Sequence, residues 1–128
     1  MTDLKNLKKI KSIDIDEFNG IKSKIGTVKL EDVETKDFGK GLQEVRQVLI
    51  ESEVLNDDKE RPITAREYVS LRKIDGEWGF SDSPKAKAQK MLNFFKVSSF
   101  DELQGKSIVI NKKQRDNGKE FLGFGFGN

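Results

Sequence analysis

The sequence predicts a domain built mainly of β-strands, with one helix late in the chain. Before Phe80 and after Gly105, apolar and polar residues alternate at a period close to two, which indicates strands. Between Ser83 and Phe95 the period lengthens to that of an α-helix. Turn signals rich in glycine and aspartate separate the strand-like segments. The predicted order is therefore β–β–β–α–β–β.

The first predicted strand follows Gly20 and is interrupted by a one-residue slip in its alternation at Gly26-Thr27. A slip beside a glycine is typical of a β-bulge in a bent strand. The apolar positions of this strand are Ile21, Ile25, Val28, Leu30 and Val33.

The second strand is predicted over Glu44 to Leu55, the most β-favouring run in the chain, after a glycine-rich turn over residues 37–41. A third strand, Ile63 to Ile74, places Tyr68 and Arg72 on one face. The opposite face of this strand carries Val69 and Leu71.

A hairpin turn at Asp75-Gly76 leads to Trp78-Gly79-Phe80. The helix is expected to begin near Ser83, a good N-cap, with Pro84 at its first position. Its buried stripe is predicted to be Ala88, Met91, Leu92 and Phe95.

Two strands are predicted to close the chain, over Ser107 to Lys112 and Glu120 to Phe126. Ser99-x-x-Glu102 has the spacing of a capping box, which indicates a short helical turn before them. Asp116-Asn117-Gly118 indicates a hairpin, because Asn-Gly tolerates positive φ at both turn positions. The side chains of Phe121, Leu122, Phe124 and Phe126 are assigned to the interior of the domain or to one end of it.

The chain contains no His and no Cys, which excludes most designs for acid–base, thiol and transition-metal chemistry. We therefore expect no enzyme activity, no cofactor and no metal site. Apolar runs are far shorter than the roughly 20 residues that cross a bilayer, and no secretory signal stands at Met1. We expect a cytoplasmic protein without a membrane partner.

The net charge is only +2, but the basic residues are concentrated near the two ends of the chain. Residues 1–11 carry four lysines against one aspartate, and residues 82–128 carry nine Lys/Arg against five Asp/Glu. The acidic excess lies between these regions. Such a distribution is compatible with one basic surface, or with ordinary solvated charge.

The order of elements resembles the OB-fold, a five-stranded Greek-key barrel with a helix between strands 3 and 4. The resemblance spans Gly20 to Phe126 and includes Gly26 in the bent strand and Leu103-x-Gly105-Lys106 before the fourth strand. The segment at residues 100–106 resembles the segment that precedes a late strand in small phage and archaeal DNA-binding proteins. The domain would cover residues 20–128, with residues 1–19 as a basic arm or short helix. A different small barrel or an α+β domain is the alternative.

The resemblance implies a protein that binds single-stranded nucleic acid, DNA or RNA, with little sequence preference, in replication, repair or recombination. Such barrels bind across strands 2 and 3 and between two flanking loops, with cations on the phosphates and rings on the bases. The residues expected to bind are Lys36, Phe38, Lys40, Tyr68, Arg72, Trp78, Lys113, Arg115 and Lys119.

Structural roles compete with these assignments. Phe38 is alternatively a plug at one end of the barrel, and Trp78 with Phe80 a cap on the core. Arg72 is alternatively the ion-pair partner of Glu51. Carboxylates on the first two strands (Glu31, Asp32, Glu34, Glu51 and Glu53) would repel phosphates if they faced the groove, which favours a protein–protein adaptor. A carboxylate–Mg²⁺ enzyme is the remaining alternative.

Overall fold

The computed structural model describes residues 4–7, 9 and 12–126. The strands within these ranges are β1 (Lys22–Leu30), β2 (Glu34–Asp37), β3 (Leu42–Val45), β4 (Gln47–Ser52), β5 (Arg66–Ser70), β6 (Arg72–Ile74), β7 (Glu77–Gly79), β8 (Ser107–Gln114) and β9 (Glu120–Phe124). The α-helix α1 (Lys87–Phe95) follows β7. Short 3₁₀ turns cover Leu4–Asn6, Ile15–Phe18 and Phe100–Leu103. The predicted mainly β architecture with one α-helix is confirmed.

Five of the strands form one antiparallel sheet in the order β5-β4-β1-β8-β9, and β2–β3 and β6–β7 are separate hairpins. The five predicted strands therefore contribute the five-stranded sheet, and the two hairpins were not predicted as separate sheets. The predicted strand at residues 44–55 is divided at Arg46, and the one at residues 63–74 is divided at Leu71. The Leu71 N–H donates to the Arg46 carbonyl, 2.9 Å away, and the Arg46 guanidinium donates to the Glu31 carbonyl. These two hydrogen bonds take the place of regular strand pairing at the residues where the chain leaves the sheet.

The β-bulge predicted at Gly26-Thr27 is confirmed. Ile25 pairs with Ser52 and Thr27 pairs with Glu51, so one residue of β1 has no opposite partner. A Cβ at residue 26 would lie 3.3 Å from the Glu53 backbone nitrogen. The glycine thus allows β1 to pair with β8 through residues 22–24 and with β4 through residues 25–30.

The helix buries the predicted stripe of Ala88, Met91, Leu92 and Phe95 against the sheet, but it begins at Lys87 instead of near Ser83. The Ser83 hydroxyl accepts a hydrogen bond from the Lys85 N–H, and the Ser83 carbonyl accepts one from the Ala86 N–H. Ser83 therefore closes a separate turn, and the helix starts after it.

The capping box at Ser99 and Glu102 is confirmed. The hairpin turn at Asp75-Gly76 is also confirmed, with positive φ at both residues. The hairpin predicted at residues 116–118 is confirmed, since it joins β8 to β9, and of Asn117 and Gly118 only Gly118 has positive φ. The Arg115 N–H donates to the Lys119 carbonyl at 2.8 Å, which closes a longer loop with room for Asn117 in an ordinary conformation.

The 3₁₀ turn Ile15–Phe18 is attached to the sheet domain. Ile15 and Phe18 pack against the core, and the Lys112 ammonium binds the Asp16 carboxylate. The predicted arm at residues 1–19 lies partly outside the described residues, which do not include 1–3, 8, 10 and 11; residues 127 and 128 lie outside them as well. Within the described ranges, the helices are too short to cross a bilayer.

Candidate functional site

A buried carboxylate, Glu67, connects the two edge strands of the sheet. Its side chain is only 2% exposed. One carboxylate oxygen accepts hydrogen bonds from the Phe124 N–H at 2.9 Å and from the Lys113 ammonium at 2.5 Å. The other oxygen lies 2.7 Å from the Lys87 ammonium. Strands β5, β8 and β9 and helix α1 therefore meet at a single side chain.

The local sequence makes room for this contact at Gly123. A Cβ at that residue would lie 2.5 Å from the Glu67 carboxylate, closer than atoms can approach. Burial raises the pKa of Glu67, but the bonds from Lys113, Lys87 and the Phe124 N–H outweigh it, and the pKa is lowered. Glu67 is thus held ionised between two cations.

Above Glu67 lies a cleft of about 650 Å³ between the outer face of β4–β5 and the β8–β9 hairpin. Its cations are Arg66, Lys87 and Arg115, and its rings are Tyr68 and Phe121. Gln47, Thr64, Glu67 and Leu122 complete the lining. The cleft therefore combines half-exposed aromatic rings with positive charge and keeps its one carboxylate buried beneath the surface.

Strand register explains why these side chains share a face. Tyr68 pairs with Leu49, and Arg66 pairs with Glu51, so all four point away from the core residues that alternate with them. Arg66 donates to the Glu51 carboxylate, which orients the guanidinium.

On the other side of the cleft, the Arg115 guanidinium lies 5.0 Å from the Phe121 ring centre. This cation–π contact brings a charged group and an aromatic surface to one edge of the cleft. Phe121 is half-exposed, so its assignment to the interior was wrong, whereas Leu122 and Phe124 are buried as predicted.

A smaller pocket of about 200 Å³ adjoins the cleft at Gln47, which lines both. Lys36 and Phe38 line this pocket from the β2–β3 hairpin, and Ser70 and Leu71 line it from the end of β5. Three carboxylates (Glu31, Asp32 and Glu34) and Arg46 are also present. Phe38 is 59% exposed, so the alternative that it plugs a barrel end was wrong.

The fold brings together only some of the predicted binding residues. Tyr68 and Arg115 share the cleft, and Lys36 and Phe38 share the adjoining pocket. Lys40 is exposed at the tip of the β2–β3 hairpin. Lys119 is exposed at the β8–β9 turn.

Arg72 and Trp78 lie on the separate β6–β7 hairpin. Arg72 therefore does not share a strand face with Tyr68, and Glu51 pairs with Arg66 instead of Arg72. Trp78 is half-buried, with the Lys73 ammonium 5.9 Å from its ring centre.

Phe80 packs edge-on against Phe100, with ring centres 5.1 Å apart. It is 38% exposed, so it does not belong to the fully buried core.

Lys113 was expected to contact phosphates. Its ammonium instead forms an ion pair with the Glu67 carboxylate and lies 4.7 Å from the centre of the Phe126 ring. Conversely, Arg66, Lys87 and Phe121 line the cleft although the sequence analysis did not count them among the binding residues. Arg66 has a recognisable signal, since it stands two residues before Tyr68 on one strand. Lys87 has none, because helix-to-strand placement depends on the tertiary fold.

Among the described residues there is no cluster of three acidic side chains arranged to hold a metal ion. The Asp14 carboxylate accepts from the Asp16 N–H, and the Asp58 carboxylate accepts from the Glu60 and Arg61 N–H groups. These acidic residues organise local turns.

The chain matches no protein-family model, no curated protein sequence and no solved structure.

Proposed function

We propose that this protein is a non-enzymatic single-stranded DNA-binding module with little sequence preference. The observation that carries the proposal is the cleft in which two half-exposed rings, Tyr68 and Phe121, stand among Arg66, Lys87 and Arg115. Aromatic rings can stack on any base, and cations can follow the phosphates without reading sequence.

The proposed architecture is an OB-type Greek-key barrel. The sheet order and the bent first strand support it, as does the contact between the edge strands β5 and β9 through Glu67 and Phe124. In such barrels, oligonucleotides cross strands 2 and 3, and β4 and β5 occupy those positions here.

The adjoining pocket extends the proposed path toward Phe38. Its carboxylates oppose phosphate, so the expected affinity is moderate and the strand is expected to cross mainly the basic cleft. These same carboxylates favour the second candidate function, a protein–protein adaptor with no nucleic-acid binding.

The proposal is tested by fluorescence polarisation with a labelled oligo-dT of about ten nucleotides, within the site size of a single OB-type domain. Binding should weaken as salt rises, because phosphate contacts release counterions. Tyr68→Ala and Phe121→Ala should each weaken binding by about 1–3 kcal/mol with little change in salt dependence, since stacking releases no counterions.

Phe80→Ala is the matched aromatic control, because Phe80 is 38% exposed and does not line the cleft. If oligo-dT fails to bind at low salt while an oligo-U of equal length binds, the ligand is RNA and the DNA proposal is wrong. If neither binds, the adaptor function replaces both. If Phe80→Ala matters as much as Tyr68→Ala, the strand follows another face.

A further inference from the structure

A second groove, of about 690 Å³, lies at the other end of β1 from the acidic pocket. Two exposed apolar side chains, Phe94 of α1 and Val109 of β8, line it beside Lys22 and Lys24. Neither lysine forms an ion pair with another described residue. Glu53 is the one acidic residue in the lining, so the groove is apolar with a positive balance.

The chain also exposes a segment of opposite charge, which we call the acidic segment, at residues 30–34. Leu30 and Val33 are 50% and 42% exposed, although both are apolar. Asp32 forms no ion pair with a described residue, and the one ion pair of Glu34 among these residues is with Lys36, at 3.7 Å between the ammonium and the carboxylate. Two carboxylates therefore flank an exposed valine, as two lysines accompany an exposed valine and phenylalanine in the groove.

These two surfaces cannot meet within one molecule. Lys24 stands near the start of β1, and the acidic segment begins where β1 ends. Lys24 and Asp32 are eight positions apart, six of them within β1, which corresponds to about 25 Å along an extended chain. Any contact between them has to join two copies.

We infer that the acidic segment of one copy docks in the Phe94–Val109 groove of a second copy. Asp32 and Glu34 approach Lys22 and Lys24 of the other molecule, and Val33 covers the apolar floor. Because the two surfaces differ, the contact is heterologous, and repeating it adds copies head to tail. The inference does not depend on nucleic-acid binding.

Sedimentation velocity without nucleic acid tests the inference. The average mass should rise with protein concentration at about 0.01 M ionic strength, where charges act over about 30 Å, and less at about 0.15 M, where they act over about 8 Å. A monomer across a hundredfold concentration range at the lower ionic strength would overturn the inference.

Variants separate this contact from general self-association. Lys22→Glu with Lys24→Glu should abolish association through the groove, and Asp32→Asn with Glu34→Gln should weaken it through the segment. A mixture of the two double variants retains one intact groove and one intact segment, so a one-to-one dimer should be its main associated species. A mixture that stays monomeric contradicts the pairing.

Glu53→Lys should tighten association, since it removes the opposing charge from the groove. Lys59→Glu is the control, because this exposed lysine lines neither groove nor segment. Equal loss of association in Lys59→Glu and the groove variant would show a nonspecific charge effect and refute the docking.

Discussion

Glu67 both stabilises the fold and lies beneath the proposed binding cleft. Its carboxylate is 2% exposed and satisfied by Lys87, Lys113 and the Phe124 N–H. A buried carboxylate without such partners would be strongly destabilising. By binding Lys113, it also removes that cation from the set available to a ligand, while Lys87 remains 45% exposed at the cleft.

Glu67→Gln should lower the free energy of unfolding at neutral pH by about 1–3 kcal/mol, because it removes charge-assisted hydrogen bonds. Since the folded-state pKa of Glu67 is lowered, its contribution is present above the unfolded pKa of about 4.3 and is lost as pH falls through the folded pKa. Urea denaturation measured from neutral pH into the acid range should therefore show that the difference in free energy of unfolding between wild type and variant becomes smaller.

Glu77→Gln is the control, because Glu77 is exposed on β7 and forms no ion pair with a described residue. Its unfolding curve should match the wild type. If the difference in free energy of unfolding between wild type and Glu67→Gln stays unchanged in acid, the ionised carboxylate is not what stabilises the fold.

At the scale of elements, α1 contributes a stripe at helical spacing to the core that it shares with the strands. Leu92 is 1% exposed and Met91 is fully buried, whereas Lys90 faces solvent. Packing of this stripe holds a nine-residue helix that would be only marginally stable alone.

Leu92→Ala should cost about 2–5 kcal/mol, since it leaves a cavity in the core. Lys90→Ala should change stability by less than about 0.5 kcal/mol. Thermal or urea unfolding of both variants measures the difference. A small effect of Leu92→Ala would mean that the helix packs through another face.

At the scale of the whole molecule, Lys87 couples the helix, the sheet and the proposed binding cleft. It bonds Glu67 and also lines the cleft, whereas Arg115 contacts the Phe121 ring at the same cleft. The two cations therefore have the same proposed role in binding but different roles in folding.

Lys87→Ala and Arg115→Ala should each flatten the dependence of log K on log salt by about 0.7, the effect of one lost phosphate contact on a single strand. Only Lys87→Ala should also lower stability, because it leaves Glu67 with one cation fewer. Polarisation titrations and urea unfolding on the same two proteins separate the effects. Equal stability losses would contradict the role given to Glu67.

Patterns within short segments sufficed for much of the fold. The Gly26 bulge, the apolar stripe of α1, the Ser99 capping box and the Asp75-Gly76 turn each have a signal within a short segment of sequence: a slip in the period, helical spacing, or turn and cap residues. Rules of hydrophobic period and turn conformation apply over such short segments, so these four features could be predicted without the structure.

The candidate site depended on contacts between distant segments. Nothing local indicates that Lys87 and Lys113 converge on Glu67, or that Phe121 turns outward under Arg115 instead of entering the core. The break at Leu71, which separates Arg72 from Tyr68, likewise depends on a bond to Arg46, 25 residues earlier. The sequence by itself determined the elements and their apolar faces, because these follow from local conformation and period. The tertiary structure alone decided which charges and rings share a surface, because strand register and helix docking are set by packing across the whole chain.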